Sequence, residues 1–455
     1  MVVAPRVLVL PYPAQGHVIP MMELSHRLVE HGVKVTFVNT ELNHGVILGA
    51  LATSDSELAG IDMVSVPDGL GHGEDRKDLA RLTDSFSKVM PLELEKLVGK
   101  INGDAPERHG RISWFIADVN MAWAFHVAKR LGLRAAGFCP SSAAMFATRI
   151  KIPEMISDGV LDESGWPRWR GTFRLAPAMP TVDTSEFSWN RAGDAKGQPV
   201  IFNLILRNNA ATHLAEAIVC NSVHELEPGA FALFPSVLPV GPLSSCSDKP
   251  AGSFWPEDTS CAAWLDAQPA SSVVYVAFGS LAAYDAAQLV EMAEGLALTS
   301  RPFLWVVRPG SATEELVDEL RRRAAASRGR VVCWCPQRRV LAHPSVGCFL
   351  THCGWNSTME AVANGVPLLC WPYFTDQFLN QSYICDVWST GIKVPRGGDG
   401  EGAGLVGREV VRGKVEELLG DAERRRGRSR CRTSPGGPSA RKGRRAGTWN
   451  GSWTS

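Results

Sequence analysis

Apolar runs of strand length alternate along this chain with segments whose apolar residues recur at helical spacing. In the first half the runs cover residues 7–10, 35–38, 61–66, 114–117, 135–139 and 218–221. The alternation resumes after Pro242, with runs at 273–278, 303–307, 331–334, 347–351 and 368–371. Helical spacing is clear from Leu289 to Ala297. Consecutive strand and helix signals of this kind predict βαβ units and an α/β fold with two doubly wound parallel sheets.

The boundary between the halves is marked by a change in composition. Val240-Gly241-Pro242-Leu243 closes the first series, and residues from there to about 259 are rich in Ser, Asp, Pro and Gly. Such composition is typical of an exposed linker. We therefore expect a first domain at 1–240, a linker at 241–262 and a second domain at 263–420, with ligands in the cleft between the domains.

A strand-to-helix turn in the second half carries an unusual set of polar residues. The apolar residues 346–350 run into Thr351-His352-Cys353-Gly354-Trp355-Asn356-Ser357. A helix that begins there presents unpaired backbone N–H groups and the positive end of its dipole. Side-chain donors of His352, Asn356 and Ser357 add to these groups. The turn is predicted to bind a diphosphate.

Residues on both sides of this turn suit the rest of a nucleotide sugar. Trp334 offers a flat face for a base, Gln337 follows at the start of a short helix, and Glu360 can accept from ribose hydroxyls. Asp376 and Gln377 follow the strand bracketed by prolines 367 and 372, at the end where open α/β sheets bind ligands. Each residue alone is more often a helix cap or a core residue, but the ordered set favours a nucleotide-sugar site.

Composition restricts the partners. The 455 residues carry 47 basic and 47 acidic side chains, so the chain has no global field for a nucleic acid or an anionic membrane. No apolar run reaches membrane-spanning length, and the start of the chain reads as a first strand and not as a signal peptide. We expect a cytoplasmic monomer that acts on small molecules.

Two further motifs carry alternative hypotheses. Six potential zinc ligands fall within a short span: Cys333, Cys335, His343, Cys348, His352 and Cys353. They lack paired C-x-x-C spacing, so we expect no metal. We interpret the eleven cysteines of the chain as reduced thiols. Gly402 to Gly407 matches G-x-G-x-x-G. It lies in a glycine-rich loop without the acidic partner of a dinucleotide site, so we read it as a flexible connection.

His17 and Asp118 are candidate catalytic residues. His17 follows the first strand through a tight turn and precedes a helix that Pro20 is predicted to begin. Asp118 ends the strand 114–117, at the same sheet edge. Imidazole can accept a proton near neutral pH, and a carboxylate can orient it. By position alone, a loop histidine and the N-cap of the helix 122–131 are equally good interpretations.

The segment from Trp334 to Gln377, with PYPAQGHVIPMMELS around His17 and FIAD at Asp118, resembles the plant secondary-product UDP-glycosyltransferases. The resemblance covers about residues 6–419. It implies a GT-B fold, in which two Rossmann-like domains face a cleft. It also implies a catalytic base at His17, supported by Asp118. The stretch 168–197 is poor in periodicity, and we expect it to be a loop near the mouth of the acceptor pocket.

The same resemblance assigns the nucleotide sugar residue by residue. Trp334 stacks on uracil, Gln337 and Glu360 hold the ribose, and Ser280, His352, Asn356 and Ser357 hold the diphosphate. Trp355, Asp376 and Gln377 contact the sugar, and glutamine at position 377 favours UDP-glucose. The implied reaction moves glucose, with inversion to the β-glucoside, to a hydroxyl or carboxyl group of a small lipophilic acceptor such as a flavonoid, phenylpropanoid, terpenoid or hormone. No metal is expected, since no D-x-D pair lies at a strand end.

The chain departs from the family pattern after about residue 422. Residues 421–455 contain ten Arg or Lys against two acids and almost no aliphatic residue, which predicts disorder. The first alternative is therefore a nucleotide-sugar-binding protein whose catalysis is impaired because a closing helix is missing. The second is a metal-dependent regulatory module, which the cysteine spacing disfavours.

Overall fold

The computed structural model describes residues 5–51, 60–71, 73–76, 78–104, 110–192, 195–243, 260–280, 284–395 and 404–420, with positions 58, 254, 255, 258 and 282. Within them the first half contains nine strands, which are β1 Arg6–Leu10, β2 Lys34–Thr40, β3 Ile61–Val66, β4 Ile112–Asp118, β5 Arg134–Cys139, β6 Thr172–Phe173, β7 Val182–Asp183, β8 Ala217–Cys220 and β9 Val237–Pro239. The described strands of the second half are β10 Val273–Ala277, β11 Phe303–Val306, β12 Gly329–Val332, β13 Val346–Thr351, β14 Leu368–Cys370 and β15 Gly391–Lys393.

The described α-helices connect these strands. In the first half they are α1 Gln15–Glu30, α2 Glu41–Leu51, α3 Leu79–Asp104, α4 Ala124–Arg130, α5 Ala143–Ile150, α6 Ile152–Ser157, α7 Gln198–Ala211 and α8 Pro228–Leu233. In the second half they are α9 Cys261–Asp266, α10 Ala286–Leu298, α11 Glu314–Ala326, α12 Gln337–Ala342, α13 Trp355–Ala363, α14 Gln377–Ser382 and α15 Arg408–Gly420. A π-helix, Tyr383–Val387, continues α14.

Two parallel sheets organise the chain. The first has seven strands in the order β3-β2-β1-β4-β5-β8-β9, and the second has six in the order β12-β11-β10-β13-β14-β15. Every pairing within these two sheets is parallel. Parallel pairing requires crossover connections that return the chain to the edge of the sheet where the strands begin. The predicted fold class, with two doubly wound sheets, is confirmed.

Both faces of each sheet are covered, which explains why the strands read as continuous apolar runs. In the second sheet, Val274 and Val276 of β10 point into one core cluster and Val273 and Tyr275 into another. The strand β1 divides in the same way, with Leu8 and Leu10 on one side and Val7 and Val9 on the other. The alternation along a strand thus places one sheet between two helical layers.

The structure confirms the eleven predicted strands and corrects several details. Three-residue strands β9 and β15 and the β6–β7 hairpin were not predicted, since they are too short to show a period. The stretch 168–197 is not simply loop: it holds this hairpin and short 3₁₀ helices, and Trp189 is fully buried. The basic segment 421–455, most of the predicted linker and Gly402 lie outside the described residues.

The second half packs against the first through α14 and its π-helical extension. Leu379 and Tyr383 join the core cluster that contains Phe146 and Phe231 of the first half. The indole of Trp388 donates to the carbonyl of Leu226 over 2.9 Å. No helix among the described residues combines the length and the apolar character needed to cross a membrane.

Candidate functional site

The predicted site residues gather where the carboxyl ends of the central strands meet. In the first sheet β1 and β4 are neighbours, and Leu10 pairs with Ala117, one residue before Asp118. In the second sheet Ala277 pairs with Thr351, and Thr351 pairs with Cys370. Parallel strands bring their carboxyl ends to one edge. The loops that follow β10, β13 and β14 therefore share an edge, although they are far apart in sequence.

His17 and Asp118 form a hydrogen-bonded pair. Nδ1 of His17 lies 2.6 Å from Oδ2 of Asp118, whose side chain is completely buried, whereas 26% of the His17 side chain is exposed. The second oxygen, Oδ1, accepts from the N–H of Asn120 and caps the 3₁₀ helix Val119–Met121. The prediction that Asp118 caps the helix 122–131 is therefore wrong: its carboxylate caps the preceding 3₁₀ helix, and α4 begins at Ala124 with Trp123 at its N-cap. An ionised carboxylate only accepts, so the proton sits on Nδ1 and Nε2 keeps its lone pair.

The prediction that Pro20 begins the first helix is wrong. Helix α1 starts at Gln15 and contains His17 in its first turn, with Pro20 inside the helix. Proline has no N–H, so the carbonyl of Gly16, four residues earlier, lacks its helical donor. Nδ2 of Asn356 donates to this carbonyl over 2.7 Å. The first turn of α13 in the second half therefore contacts the turn that carries His17.

The His352 ring is buried between two glycines at the end of β13. A Cβ atom on Gly279 would lie 2.5 Å from Nε2 of His352, and one on Gly354 would also clash with this atom. Burial lowers the pKa of His352 to about 4, against a hydrogen bond with the Ala277 carbonyl that raises it. His352 is therefore neutral near pH 7. Ser280, directly after Gly279, is half-buried at the same edge.

Gln337 organises the residues assigned to the ribose. Its Nε2 donates to Oε2 of Glu360 over 2.7 Å and to Oγ of Ser357 over 3.0 Å, and its Oε1 accepts from the Tyr275 hydroxyl. Ser357 and Glu360 lie one turn apart on the buried side of α13. The ring of Trp334, three residues before Gln337, packs on the ring of Trp255, with 4.9 Å between ring centroids.

The three residues assigned to the sugar differ in their surroundings. Trp355 is buried, and its indole N–H donates to the Asn221 carbonyl of the first half over 2.8 Å. Asp376 occupies the N-cap position of α14 without a side-chain bond to the helix N–H groups, and its Oδ2 accepts from Nδ2 of Asn380. Gln377 accepts through Oε1 from the N–H groups of Tyr373 and Phe374. Its oxygen is therefore held, and the NH₂ end is the part of the amide that can meet a ligand.

The potential zinc ligands do not share one location. Cys348 belongs to the core on one side of the second sheet, whereas Cys335 and Cys353 belong to the core on the other side. His343 bonds to Ser345 and Asp266. Among the described residues, no group of three or more His, Cys, Asp and Glu side chains is arranged to hold a metal ion.

Sequence analysis missed two charged groups near the site. Glu23 on α1 is buried and pairs with Arg338 on α12, with 2.8 Å between Oε1 and Nη1. This ion pair joins the two halves. Arg149 on α5 donates to Oδ1 of Asn120 over 2.5 Å, and the N–H of Asn120 donates to Asp118. Neither residue follows a motif or a period, so only the folded chain shows their positions.

Comparison with known proteins agrees with this geometry. Residues 233–394 match the sequence profile of the family described as UDP-glucoronosyl and UDP-glucosyl transferase. The chain is 40% identical over 426 residues to UDP-glycosyltransferase 83A1 of Arabidopsis thaliana. This alignment covers 92% of this chain and 89% of the relative. It is 32% identical over 454 residues to the (R)-mandelonitrile beta-glucosyltransferase of Prunus dulcis, over 94% of this chain and 91% of that protein.

Among solved structures, UGT2 of Phytolacca americana complexed with UDP-2fluoro-glucose and pterostilbene superimposes with a TM-score of 0.74 and 26% identity. The match covers 96% of this chain and 97% of that chain. The two parallel sheets, with the candidate site residues at the carboxyl ends of their strands, thus define a GT-B glycosyltransferase. This chain belongs to the plant UDP-glycosyltransferase family, whose members transfer sugar from a UDP-sugar to small plant metabolites.

Proposed function

We propose that the protein transfers glucose from UDP-glucose to a hydroxyl group of a small lipophilic plant metabolite and forms the β-glucoside. The observation that carries the proposal is the 2.6 Å contact between His17 Nδ1 and Asp118 Oδ2, which leaves Nε2 as a base. The relative from Prunus dulcis, named as a beta-glucosyltransferase, supports glucose and the β configuration. Gln377, the first residue of α14, is consistent with this donor.

In the proposed reaction His17 Nε2 takes the proton from the acceptor hydroxyl as its oxygen attacks the anomeric carbon. The bond between that carbon and the diphosphate oxygen breaks, and UDP leaves from the opposite face. Asp118 stabilises the positive charge that forms on the imidazole. Because Asp118 is fully buried, its interaction with the charged ring is weakly screened.

The donor is proposed to bind along the edge formed by β10, β13 and β14. Trp334 would stack on uracil, Gln337 and Glu360 would bind the ribose, and the N-terminus of α13 would bind the diphosphate with Ser280, His352, Asn356 and Ser357. The neutral His352 contributes a hydrogen-bonding group and not a positive charge. The growing charge of the leaving UDP is then stabilised mainly by backbone dipoles and neutral donors.

In this proposal the two halves of the chain have different roles. Residues 1–240 would bind the acceptor and supply the base, residues 263–420 would bind the donor, and residues 241–262 would join them. The sugar would lie between Trp355, Asp376 and Gln377, close to the contact of Asn356 with Gly16. We expect turnover without an added metal, so that EDTA leaves the rate unchanged.

The test is mass spectrometry of products after the full-length chain is incubated with UDP-glucose and a pool of phenolic, terpenoid and hormone acceptors. A hexose adduct that disappears in His17→Ala, while calorimetry shows UDP still bound, supports the proposal. UDP binding without any adduct from the unchanged chain would instead identify a nucleotide-sugar-binding protein. An adduct that persists in His17→Ala would contradict the role of His17.

A further inference from the structure

Arg149 lies beside the proposed catalytic pair but has no part in the reaction described above. Its Nη1 donates to Oδ1 of Asn120 over 2.5 Å, and the N–H of Asn120 donates to Oδ1 of Asp118 over 2.8 Å. A single residue thus separates the guanidinium from the carboxylate that holds His17. Asn120 is itself fixed, since its carbonyl accepts from Nδ2 of Asn208.

The positive charge of Arg149 has no close counterion within the described part of the chain. Among the described residues, no carboxylate oxygen lies within 4.0 Å of a guanidinium nitrogen of Arg149, the limit for an ion pair. The buried Nε has no hydrogen-bond partner among these residues. Arginine remains protonated in proteins, and a buried unpaired cation is costly. Burial lowers the pKa of Arg149, and this effect exceeds the opposing influence of Asp376 and Asp118.

Arg149 is nevertheless not completely buried, and its charge lies near Tyr12, which contacts His17. The residue as a whole is half-buried and not sealed, although Nε is covered. Its charge is felt by Tyr12, whose ring centroid lies 5.1 Å from that of His17. Tyr12 also contacts Phe86 edge-on, and Phe86 stacks on Trp123. Tyr12, Phe86 and Trp123 therefore form an aromatic cluster next to the proposed base, with the charge of Arg149 nearby.

We propose that Arg149 binds the carboxylate of the acceptor, and that the acceptor is a hydroxylated aromatic acid. This inference rests on the proposed function and specifies its substrate class. The hydroxyl gives its proton to Nε2 of His17 and forms the bond to the anomeric carbon as the bond to UDP breaks. The carboxylate stays ionised, is not consumed, and supplies the counterion that Arg149 lacks.

The test compares acids with their neutral amides. Hydroxybenzoate, hydroxycinnamate and hydroxyphenylpropionate, with the three matching amides, are titrated by calorimetry into the full-length chain saturated with UDP at pH 7. We expect at least one acid to bind about 10- to 100-fold more tightly than its amide, the range for charge-assisted hydrogen bonds. In Arg149→Met this preference should vanish, with the affinity for the amide changed by less than about twofold.

Two further variants separate a binding role from a structural one. Arg149→Lys keeps the charge and should keep part of the preference for the acid. Arg207→Met removes the same charge from an exposed position of α7 and should leave the preference intact. The affinity for UDP confirms that each variant is folded. The proposal is overturned if every acid binds no better than its amide, or if Arg149→Met weakens acid and amide equally.

Turnover distinguishes this inference from the proposed function. If the acid is preferred in binding but UDP-glucose yields no hexose adduct on any acceptor, the proposed transfer fails and the role of Arg149 stands. If neutral acceptors are glucosylated and the acids are not preferred, only the role of Arg149 fails. A product on the acid that mild alkali cleaves is a glucose ester, which would place the carboxylate at His17 and contradict the assignment to Arg149.

Discussion

Nδ2 of Asn356 donates a hydrogen bond to the carbonyl of Gly16 across the two halves of the protein, over 2.7 Å. The carbonyl is available because Pro20, at the position of its helical donor, has no N–H. Gly16 precedes His17, and Asn356 lies in the first turn of α13. A proline within a helix thus exposes a main-chain acceptor through which the donor side of the site contacts the acceptor side.

Replacement of Asn356 by Ala should lower kcat/KM about tenfold, which corresponds to the loss of one hydrogen bond with its partner left unpaired. In Pro20→Ala the helix regains a donor for the Gly16 carbonyl, so Asn356→Ala should lower kcat/KM less in that background, where only its proposed contact with the diphosphate remains to be lost. Steady-state kinetics of the double-mutant cycle measures this coupling. Asn364→Ala is the control, because Asn364 lies at the C-cap of the same helix and its Nδ2 donates to the carbonyl of Glu360. Equal, additive losses in the two backgrounds would contradict the coupling.

Asp118→Asn should reduce kcat by about 10²- to 10⁴-fold, because an amide neither fixes the proton on Nδ1 of His17 nor stabilises the charged ring. The affinity for UDP should not change. Asp183→Asn is the matched control: Asp183 caps a 3₁₀ helix through the N–H of Ser185, as Asp118 does through that of Asn120. Single-turnover rates and UDP titrations test the pair. If both variants lose activity alike, the contribution of Asp118 is structural.

Gly279→Ala should weaken UDP binding at least about tenfold, by displacing the His352 ring from the end of β13. The new methyl group would lie 2.5 Å from Nε2 of His352, at a backbone φ of +68°. Gly310→Ala provides the control, since Gly310 has a similar φ of +73° and no neighbouring atom within 4 Å. Both variants share the conformational strain, so the difference in UDP affinity isolates the contact with His352. Equal affinities would show that this contact is unimportant.

The buried Glu23 should make stability depend on pH. Burial raises its pKa to about 7, against the attraction of Arg338, so its contribution to stability is complete below about pH 4.5 and is lost as the pH rises through 7. Glu23→Gln cannot ionise. The Tm of Glu23→Gln minus that of the unchanged protein should therefore be larger at pH 8 than at pH 5. The corresponding change in the free energy of unfolding is on the order of 1–3 kcal/mol.

Thermal unfolding at the two pH values measures this effect. Glu30→Gln on the same helix is the control, because Glu30 is partly exposed and pairs with Arg27 at the surface. It should give no comparable change between pH 5 and pH 8. A fall in the relative Tm of Glu23→Gln at pH 8 would show that attraction to Arg338 outweighs the cost of burying the Glu23 charge.

Much of the fold could be predicted because the physics that creates it is local. A strand covered on both faces needs an unbroken apolar run, so β1, β4, β10 and β13 are visible in the sequence. The strand-to-helix turn at 351–357 combines a buried strand, a glycine and helix-capping residues, and the structure contains this turn. Strands β9 and β15 were missed because three residues carry no period. Pro20 was misplaced because an early helix position and an interior one look alike in sequence.

By itself the sequence determined the fold class, the family and the identities of the candidate residues, because apolar periodicity and ordered polar motifs are properties of neighbours along the chain. Only the tertiary structure decided which distant groups meet: His17 with Asp118, Asn356 with Gly16, and Glu23 with Arg338. It also decided that the half-buried Arg149 has no ion-pair partner among the described residues. Contact and solvation depend on how helices and sheets pack, and no local pattern encodes that packing.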